Sequence, residues 1–402
     1  MQEAGRIRLT ALALLGAALL AFAAPARAAE QPPTGLPARA WVLIDAGDGK
    51  VLAAHRARSS YSIASTTKLM TAYVARERLK LGETVVAPPY DALAAESLLG
   101  LEPGEEIEVG DLLYGLLLVS GNDAAEALAQ AAAGSEDAFV AKMNDAADRL
   151  GLDDTSYANP IGLDEAGNYS SAEDLAELAV VLRRDALFRR IFDTASTTIE
   201  SGAHPRNLVN RNTLVQTVPY VNGVKTGYTI DAGNVLVGSG KQGGVELVSA
   251  VLGAPTEADR DAATLALLDY GFSLYHRRTP VHEGETEAEV AIRDRDVAVE
   301  LAPSEEITIT VRSGERVQTR VSAPDEVAGP VSEGDRLGEA VVTVEGEAVG
   351  RTALAATSSA AAASLLERYD AAVPGPRLVA WGIAIAALAL LFVVAIALWD
   401  RR

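Results

Sequence analysis

The first part of the chain mixes strand-like and helix-like patterns. From Trp41 to Ala53 two apolar runs flank Gly47-Asp48-Gly49, which predicts a strand, a tight turn and a second strand. Helical periodicity is expected over 65–79, 111–119, 124–132, 171–185 and 259–268, and further strands near Val224, from Asn234 and from Val245. Strands at both ends with helices between them predict an α+β domain with one antiparallel sheet, over 34–277.

The pattern changes after Arg278. Ile307, Ile309 and Val311 alternate with threonines, so they share one face of a strand, and Ser313-Gly314 predicts a hairpin turn. A second hairpin is expected around Gly346. We therefore expect a small all-β domain over 278–351, followed by a tether rich in Ala, Ser and Pro over 352–376.

Both ends of the chain are apolar. Arg6 and Arg8 precede an apolar run that ends in a small-residue cleavage site, which predicts a secretory signal peptide over 1–28; an uncleaved anchor is the alternative. Residues 378–399 carry no charge and predict a C-terminal transmembrane helix, with a cytoplasmic tail at 400–402. A buried core helix is the alternative. The expected location is the extracytoplasmic face of the cell membrane, with a single-pass C-terminal anchor.

Charge and composition exclude several classes of protein. The net charge of −20 argues against a nucleic-acid partner, whose phosphates require a basic surface. No cysteine is present, so neither disulfides nor thiolate chemistry is available. The four histidines are far apart in sequence, which argues against a histidine metal site. We expect no metal and no cofactor.

Candidate chemistry lies in three short stretches of the first domain. They are Ser-Thr-Thr-Lys from Ser65 to Lys68, Ser-Gly-Asn from Ser120 to Asn122, and Lys-Thr-Gly from Lys225 to Gly227. Only six lysines occur among 35 basic residues, and two of them fall inside these stretches. Lysine, unlike arginine, can lose its proton when it is desolvated.

Spacing and residue type indicate a serine nucleophile with a lysine base. A serine hydroxyl needs a base at neutral pH, and Lys68 at i+3 lies on the same helix face as Ser65. Burial among cationic neighbours would lower the pKa of Lys68, with Lys225 as the second charge, and the helix start leaves backbone N–H groups for an oxyanion. The alternative is an ordinary amphipathic helix with Lys68 in solvent.

The other two stretches suit leaving-group and substrate contacts. Ser120 could relay a proton to the leaving amine, and Asn122 could hold a substrate amide. Lys225 and Thr226 suit a substrate carboxylate, and Gly227 allows a substrate chain to approach the backbone. The alternatives are an N-cap at Ser120 or Asn122, and an edge strand whose lysine discourages aggregation.

Together the three stretches resemble the signature of penicillin-binding proteins and β-lactamases. More narrowly, NPIGLDEAGNYSSAEDLAELA, NRNTL and NGVKTGYTIDAGNVLVGSG follow them as in low-molecular-mass, serine-type D-alanyl-D-alanine carboxypeptidases of the peptidase S11 type. The resemblance implies a penicillin-binding-protein/β-lactamase-like transpeptidase domain that removes the terminal D-alanine from peptidoglycan stem pentapeptides through an acyl-enzyme. β-Lactam antibiotics would acylate the same serine.

The resemblance also implies roles for individual residues. Ser65 would be the nucleophile and Lys68 its base, and the backbone N–H groups of Ser65 and Tyr228 would form the oxyanion hole. Arg260 matches an arginine that lies near the substrate carboxylate in the family; its alternative role is a surface partner for Glu257. Tyr228 stands where a histidine or another aromatic residue can follow Lys-Thr-Gly.

Three alternatives share parts of this pattern. A D,D-endopeptidase would use the same site on cross-linked peptides. A β-lactamase lacks support, because no Glu-x-x-Leu-Asn stretch is present in the catalytic region. A catalytically silent wall-binding scaffold would have lost Ser65 or a motif lysine, and all three are present.

Overall fold

The computed structural model describes residues 31–372 and 377–399. The predicted signal peptide over 1–28 lies outside the described residues, as do 373–376 of the predicted tether and the predicted tail at 400–402. The chain divides into two compact units between Tyr275 and His276, and each is described by itself.

Nine strands form in the described part of the first unit, residues 31–275. Their bounds are β1 (Ala40–Asp45), β2 (Val51–His55), β3 (Thr84–Val86), β4 (Glu106–Glu108), β5 (Ser196–Ile199), β6 (Arg206–Val209), β7 (Val221–Thr229), β8 (Gly233–Gln242) and β9 (Val245–Ala254). Five of them make one antiparallel sheet in the order β2-β1-β9-β8-β7. The prediction that the first two and the late strands share one sheet is confirmed, and β7 lies at its edge.

Over the same described residues, eight α-helices accompany these strands. Their bounds are α1 (Lys68–Arg78), α2 (Val109–Tyr114), α3 (Asn122–Ala133), α4 (Glu136–Leu150), α5 (Ala172–Arg183), α6 (Ala186–Asp193), α7 (Leu214–Thr217) and α8 (Glu257–Ser273). The start of α5 is capped by a serine, since Ser171 Oγ accepts from the Asp174 N–H at 3.1 Å. Helices α4, α6 and α7 and the two-stranded pairs β3-β4 and β5-β6 were not predicted.

Both faces of the central sheet are covered. In β1, Val42 and Ile44 belong to an apolar cluster that includes Leu69 of α1, while Trp41 and Leu43 belong to a second cluster with residues of α8. Alternate residues of a strand point to opposite faces, so β1 is buried on both sides and reads as a continuous apolar run. Helix α5 packs on β1 and β9, and the turn Ala64–Thr67, which carries the candidate nucleophile and leads into α1, lies against β7 and β8.

The second unit is built mainly from strands. They are β10 (Tyr275–Val281), β11 (Ala288–Ile292), β12 (Ala298–Pro303), β13 (Ile307–Arg312), β14 (Val317–Ser322), β15 (Glu326–Val327), β16 (Arg336–Val344) and β17 (Glu347–Ala356). A six-stranded sheet has the order β14-β16-β17-β12-β11-β15, and β10 pairs with β13. Helices α9 (Leu365–Ala372) and α10 (Arg377–Trp399) follow.

Only one of the two predicted hairpins forms. β16 and β17 pair across a turn at Gly346, whose φ of 94° suits glycine. At Ser313-Gly314 the flanking strands part: β13 pairs with β10, and β14 pairs with β16. The turn at Ser313-Gly314 was predicted correctly. The partners of β13 and β14 were not, because each of these strands pairs with a strand that is distant in sequence.

The predicted transmembrane helix over 378–399 is contradicted. Within the described residues, the structure has no helix that combines the length and the apolar character needed for a membrane crossing. The predicted fold class is therefore corrected: the α+β domain and the all-β domain stand without the transmembrane helix.

Candidate active site

Ser65 lies on a tight turn that leads into α1. Residues Ala64–Thr67 form a single 3-10 turn, and Ala64 has a φ of 50°, a left-handed conformation that alanine rarely adopts. Thr66 Oγ1 donates to the Ile63 carbonyl at 2.6 Å and fastens the turn. Strained backbone of this kind is common beside reactive side chains.

Lys68 is the first residue of α1 and is fully buried. Its Nζ donates to Ser65 Oγ at 3.1 Å, to Asn122 Oδ1 at 2.6 Å and to the Ile161 carbonyl at 2.5 Å. An ammonium has three N–H donors, so these three acceptors use all of them. The alternative of a solvated lysine on an amphipathic helix does not match this burial.

Burial lowers the pKa of Lys68 from its ordinary value to about 7. The charge of Arg211 lowers this pKa further, and the carboxylates of Glu96 and Asp123 act in the opposite direction. A substantial fraction of Lys68 is therefore a neutral amine near neutral pH, which is the state that can accept a proton.

Ser120 follows a short π-helical segment, Gly115–Val119, and has a φ of 65°. Its hydroxyl is buried, and within the described part of the chain it has no hydrogen-bond partner. The N-cap of α3 is Gly121, and no side chain caps this helix. The capping alternative for Ser120 and Asn122 therefore has no hydrogen bond to support it.

Lys225 and Thr226 are buried in β7, on the edge strand. Lys225 Nζ donates to the Thr226 carbonyl at 2.9 Å. Burial, together with the charges of Lys68, Arg211 and Arg260, lowers the pKa of Lys225 well below its ordinary value. An edge lysine that discourages aggregation would point into solvent, whereas this side chain points inward.

Gly227 lets β7 approach the nucleophile. A Cβ atom placed on Gly227 would lie 3.0 Å from the Ser65 amide nitrogen and 3.0 Å from Ala64 Cβ, closer than nearly all real contacts. The next residue is Tyr228, whose backbone N–H is the second predicted oxyanion donor. The close approach explains why a glycine occupies this position of the motif.

A loop from Asn159 to Asp164 forms the other side of the site around Ser65 and Lys68. Asn159 Oδ1 accepts from the Gly162 N–H at 2.7 Å, and Thr71 Oγ1 donates to the Pro160 carbonyl at 2.6 Å. Gly162 has a φ of 89°, and a Cβ there would lie 2.1 Å from the Ala64 carbonyl oxygen. These contacts hold the Ile161 carbonyl against Lys68.

A cavity of 450 Å³ opens beside the nucleophile. Three of the predicted residues line it, namely Ser65, Asn122 and Tyr228, and Tyr228 is 63% exposed. Glu96 and Asp164 also line the cavity. An elongated polar substrate therefore has room next to Ser65.

Arg260 is the least well placed of the predicted residues. It is buried in α8 and pairs with Asp261, with Nε and Oδ1 2.9 Å apart, rather than with Glu257 at the surface. It does not line the cavity, although its charge acts on Lys225.

The sequence patterns did not single out Glu96 or Arg211. Glu96 lies in a loop without periodicity, and its Oε2 accepts from Asn122 Nδ2 at 2.7 Å. Arg211 lies in the NRNTL stretch, and its Nε donates to the Val119 carbonyl at 2.9 Å, next to Ser120. Of the two residues, only Arg211 had a sequence signal, because it lies inside a stretch that the chain shares with the family it resembles.

Lys68 is buried against Ser65, and the neighbouring edge strand β7 carries a second lysine, Lys225. This is the arrangement of an acyltransferase with an active-site serine. Family models match both units: "D-alanyl-D-alanine carboxypeptidase", peptidase S11, over 26–256, and "Penicillin-binding protein 5, C-terminal domain" over 275–361. The chain belongs to the serine D-alanyl-D-alanine carboxypeptidase family, and the expected enzyme class is confirmed.

Relatives support this membership over most of the chain. D-alanyl-D-alanine carboxypeptidase DacF of Bacillus subtilis is 35% identical over 363 residues, which cover 87% of this chain and 93% of the relative. DacC of Escherichia coli is 34% identical over 360 residues, covering 85% and 89%.

Solved structures agree with the fold. Penicillin binding protein 5 from Haemophilus influenzae has a TM-score of 0.58 and 27% identity, covering 82% of this chain and 99% of that chain. The Streptomyces K15 DD-transpeptidase has a TM-score of 0.58 and 30% identity, covering 61% of this chain and all of that one.

Proposed function

We propose that this carboxypeptidase works through an acyl-enzyme on Ser65 and acts on peptidoglycan stem peptides that end in D-alanyl-D-alanine. The observation that carries the proposal is the buried Lys68, whose Nζ lies 3.1 Å from Ser65 Oγ. A lysine with a pKa of about 7 beside a serine hydroxyl is poised to act as its general base.

In the acylation step Ser65 Oγ attacks the carbonyl carbon of the penultimate D-alanine. Neutral Lys68 takes the hydroxyl proton, and the carbonyl oxygen becomes an oxyanion. The Ser65 and Tyr228 N–H groups stabilise that charge, an arrangement supported by the close approach of Gly227 to the Ser65 amide.

Ser120 carries the proton to the leaving group. When the tetrahedral intermediate collapses, the peptide C–N bond breaks and the terminal D-alanine leaves as an amine that needs a proton. The buried, unpartnered Ser120 hydroxyl can pass on the proton that Lys68 received. Water then attacks the ester carbonyl, releases the shortened peptide and restores the Ser65 hydroxyl.

The substrate chain extends along β7. The free edge of this strand can pair with an extended peptide, and Gly227 leaves room for its backbone. Thr226 and Lys225 lie at the end where the substrate carboxylate is held, with Arg260 behind Lys225. β-Lactams, as acylating inhibitors, bind in the same place. Because the proposed substrate is peptidoglycan, the enzyme acts outside the cytoplasm.

The experiment is D-alanine release from a stem pentapeptide by the purified chain. We expect release by the wild type and none by Ser65→Ala. Lys68→Arg keeps the positive charge but cannot serve as a base, so acylation by a fluorescent penicillin should be lost. Labelling of Lys68→Arg at the wild-type rate would contradict the lysine base.

A second candidate activity is transfer of the acyl group to an amine. The similar K15 protein is a DD-transpeptidase, and the same acyl-enzyme serves either acceptor. Adding a D-amino acid to the assay separates the two: an exchanged peptide product would indicate transfer, and its absence would leave hydrolysis alone.

A further inference from the structure

Glu96 lies in the cavity wall, outside the three motif stretches. Its Oε2 accepts hydrogen bonds from Asn122 Nδ2 at 2.7 Å and from the Tyr90 hydroxyl. Its Oε1 accepts from the Leu93 N–H at 3.1 Å. The carboxylate is therefore held by three donors and has one defined position.

The bond from Asn122 determines which end of its amide faces Lys68. Asn122 Oδ1 accepts from Lys68 Nζ at 2.6 Å while Nδ2 donates to Glu96. A flipped amide would direct its oxygen at the Glu96 carboxylate, where two acceptors meet, and its N–H₂ group at Lys68, where it would meet the donors of the ammonium form. Glu96 thus selects the orientation in which Asn122 can accept from Lys68.

The loop that carries Glu96, residues 93–101, is docked on the start of α3. The Asn122 N–H donates to the Ser97 carbonyl at 2.8 Å. The Asp123 carboxylate accepts from the backbone N–H groups of three loop residues, Leu99 at 2.8 Å, Gly100 at 2.7 Å and Leu101 at 2.9 Å. The position of the Glu96 carboxylate is therefore built into the fold.

Glu96 also supplies negative charge near the two buried lysines. The charged groups that act on Lys68 are Glu96, Arg211 and Asp123, and those that act on Lys225 are Lys68, Arg211 and Arg260. Partial burial works to raise the pKa of Glu96, but hydrogen bonds from Tyr90 and Asn122 and the charge of Lys68 lower it overall, so the group is ionised at neutral pH. Its charge raises the pKa of Lys68 against the effect of burial.

We propose that Glu96 is a positioning residue of the acyl-transfer site, which fixes the Asn122 amide toward Lys68 and places a negative charge beside the serine–lysine pair. The inference rests on the proposed function, because it assigns Glu96 a part in the same acylation. It acts through Asn122 and Lys68.

The charge is tested by Glu96→Gln, with Glu102→Gln as the matched control. The glutamine oxygen can still accept from Asn122, so the amide contact is kept, while the charge and the acceptor for the Leu93 N–H are lost. Glu102 is an exposed residue of the neighbouring turn and does not line the cavity. Acylation by fluorescent penicillin requires neutral Lys68, so its rate rises with pH. Without the Glu96 charge the pKa of Lys68 falls, so the acid limb of Glu96→Gln should shift to lower pH, while that of Glu102→Gln should match the wild type.

The amide orientation is tested by Glu96→Ala, which removes the acceptor as well. The alkaline plateau of its acylation rate should fall by about tenfold or more, because the Asn122 N–H₂ group loses its partner, while Glu96→Gln stays within about threefold of the wild type. An acid limb of Glu96→Gln that coincides with the wild type overturns the inference, and this readout decides even where Glu96→Ala is poorly folded. If the wild type itself is not acylated, the proposed function fails and the inference falls with it.

Discussion

Lys68 shows how far single residues can be predicted. The i+3 spacing placed its amine near Ser65, and the rarity of lysine made it a candidate for chemistry. Its other two acceptors, Asn122 and Ile161, are 54 and 93 residues away, so no local pattern indicates them. The cation whose charge helps to lower the pKa of Lys68 is Arg211, a residue that charge patterns alone did not distinguish.

The pKa of Lys68 predicts the pH dependence of acylation. Lys68 is protonated below a pKa of about 7 and is then unable to accept the Ser65 proton. The acylation rate should therefore rise tenfold per pH unit below about 7 and level off above it. Stopped-flow acylation by a fluorescent penicillin from pH 5 to 9 measures this; a rate independent of pH over that range would contradict a lysine base.

Ser120 gives a second prediction at this scale. Because its buried hydroxyl makes no hydrogen bond to a described residue, Ser120→Ala should leave the melting temperature nearly unchanged. D-alanine release should nevertheless fall by about 10²-fold or more, since the leaving amine loses its proton donor. Loss of stability with full activity would indicate a structural serine instead.

Among the secondary-structure elements, the edge strand β7 and the turn at Ser65 form the site by close approach. Sequence patterns predicted the strand near Val224 and a helix from Ser65, where the structure has a 3-10 turn ahead of α1, and Gly227 was expected to allow a substrate to approach. The structure adds that the glycine also allows β7 to reach the Ser65 turn itself. The failed hairpin at Ser313-Gly314 has a related cause, because strand pairing depends on partners that a local pattern does not contain.

Gly227→Ala tests this contact. The added methyl group would lie 3.0 Å from the Ser65 amide nitrogen, so β7 must move away from the nucleophile. Acylation should fall by about 10- to 100-fold, because small displacements of reacting groups are costly. Gly82→Ala is the control, since a Cβ there meets nothing within 4 Å; equal acylation rates in the two variants would contradict the role of the close approach.

At the scale of the whole molecule, composition and apolar patterning predicted two folded parts, and the structure divides at Tyr275 and His276. All of the predicted site residues lie in the first unit. The transmembrane prediction, which rested on the uncharged run over 378–399, is wrong: among the described residues no helix has the length and apolar character that a membrane crossing requires.

A chain that ends at Tyr275 should keep the acylation chemistry. Every residue assigned to the serine–lysine site, and the sheet that supports it, belongs to the first unit. We expect its acylation rate to lie within about threefold of that of the full chain, a difference of about 0.6 kcal/mol or less in activation free energy. Circular dichroism controls for folding, and a folded but unlabelled fragment would show that the second unit is needed for the site.

The central claim is that Ser65 forms the acyl-enzyme, and peptide mapping by mass spectrometry after reaction with penicillin tests it most directly. The account predicts one covalent penicilloyl adduct, located on Ser65, that is absent from Ser65→Ala. An adduct on another residue, or no adduct on folded wild-type protein, would contradict it.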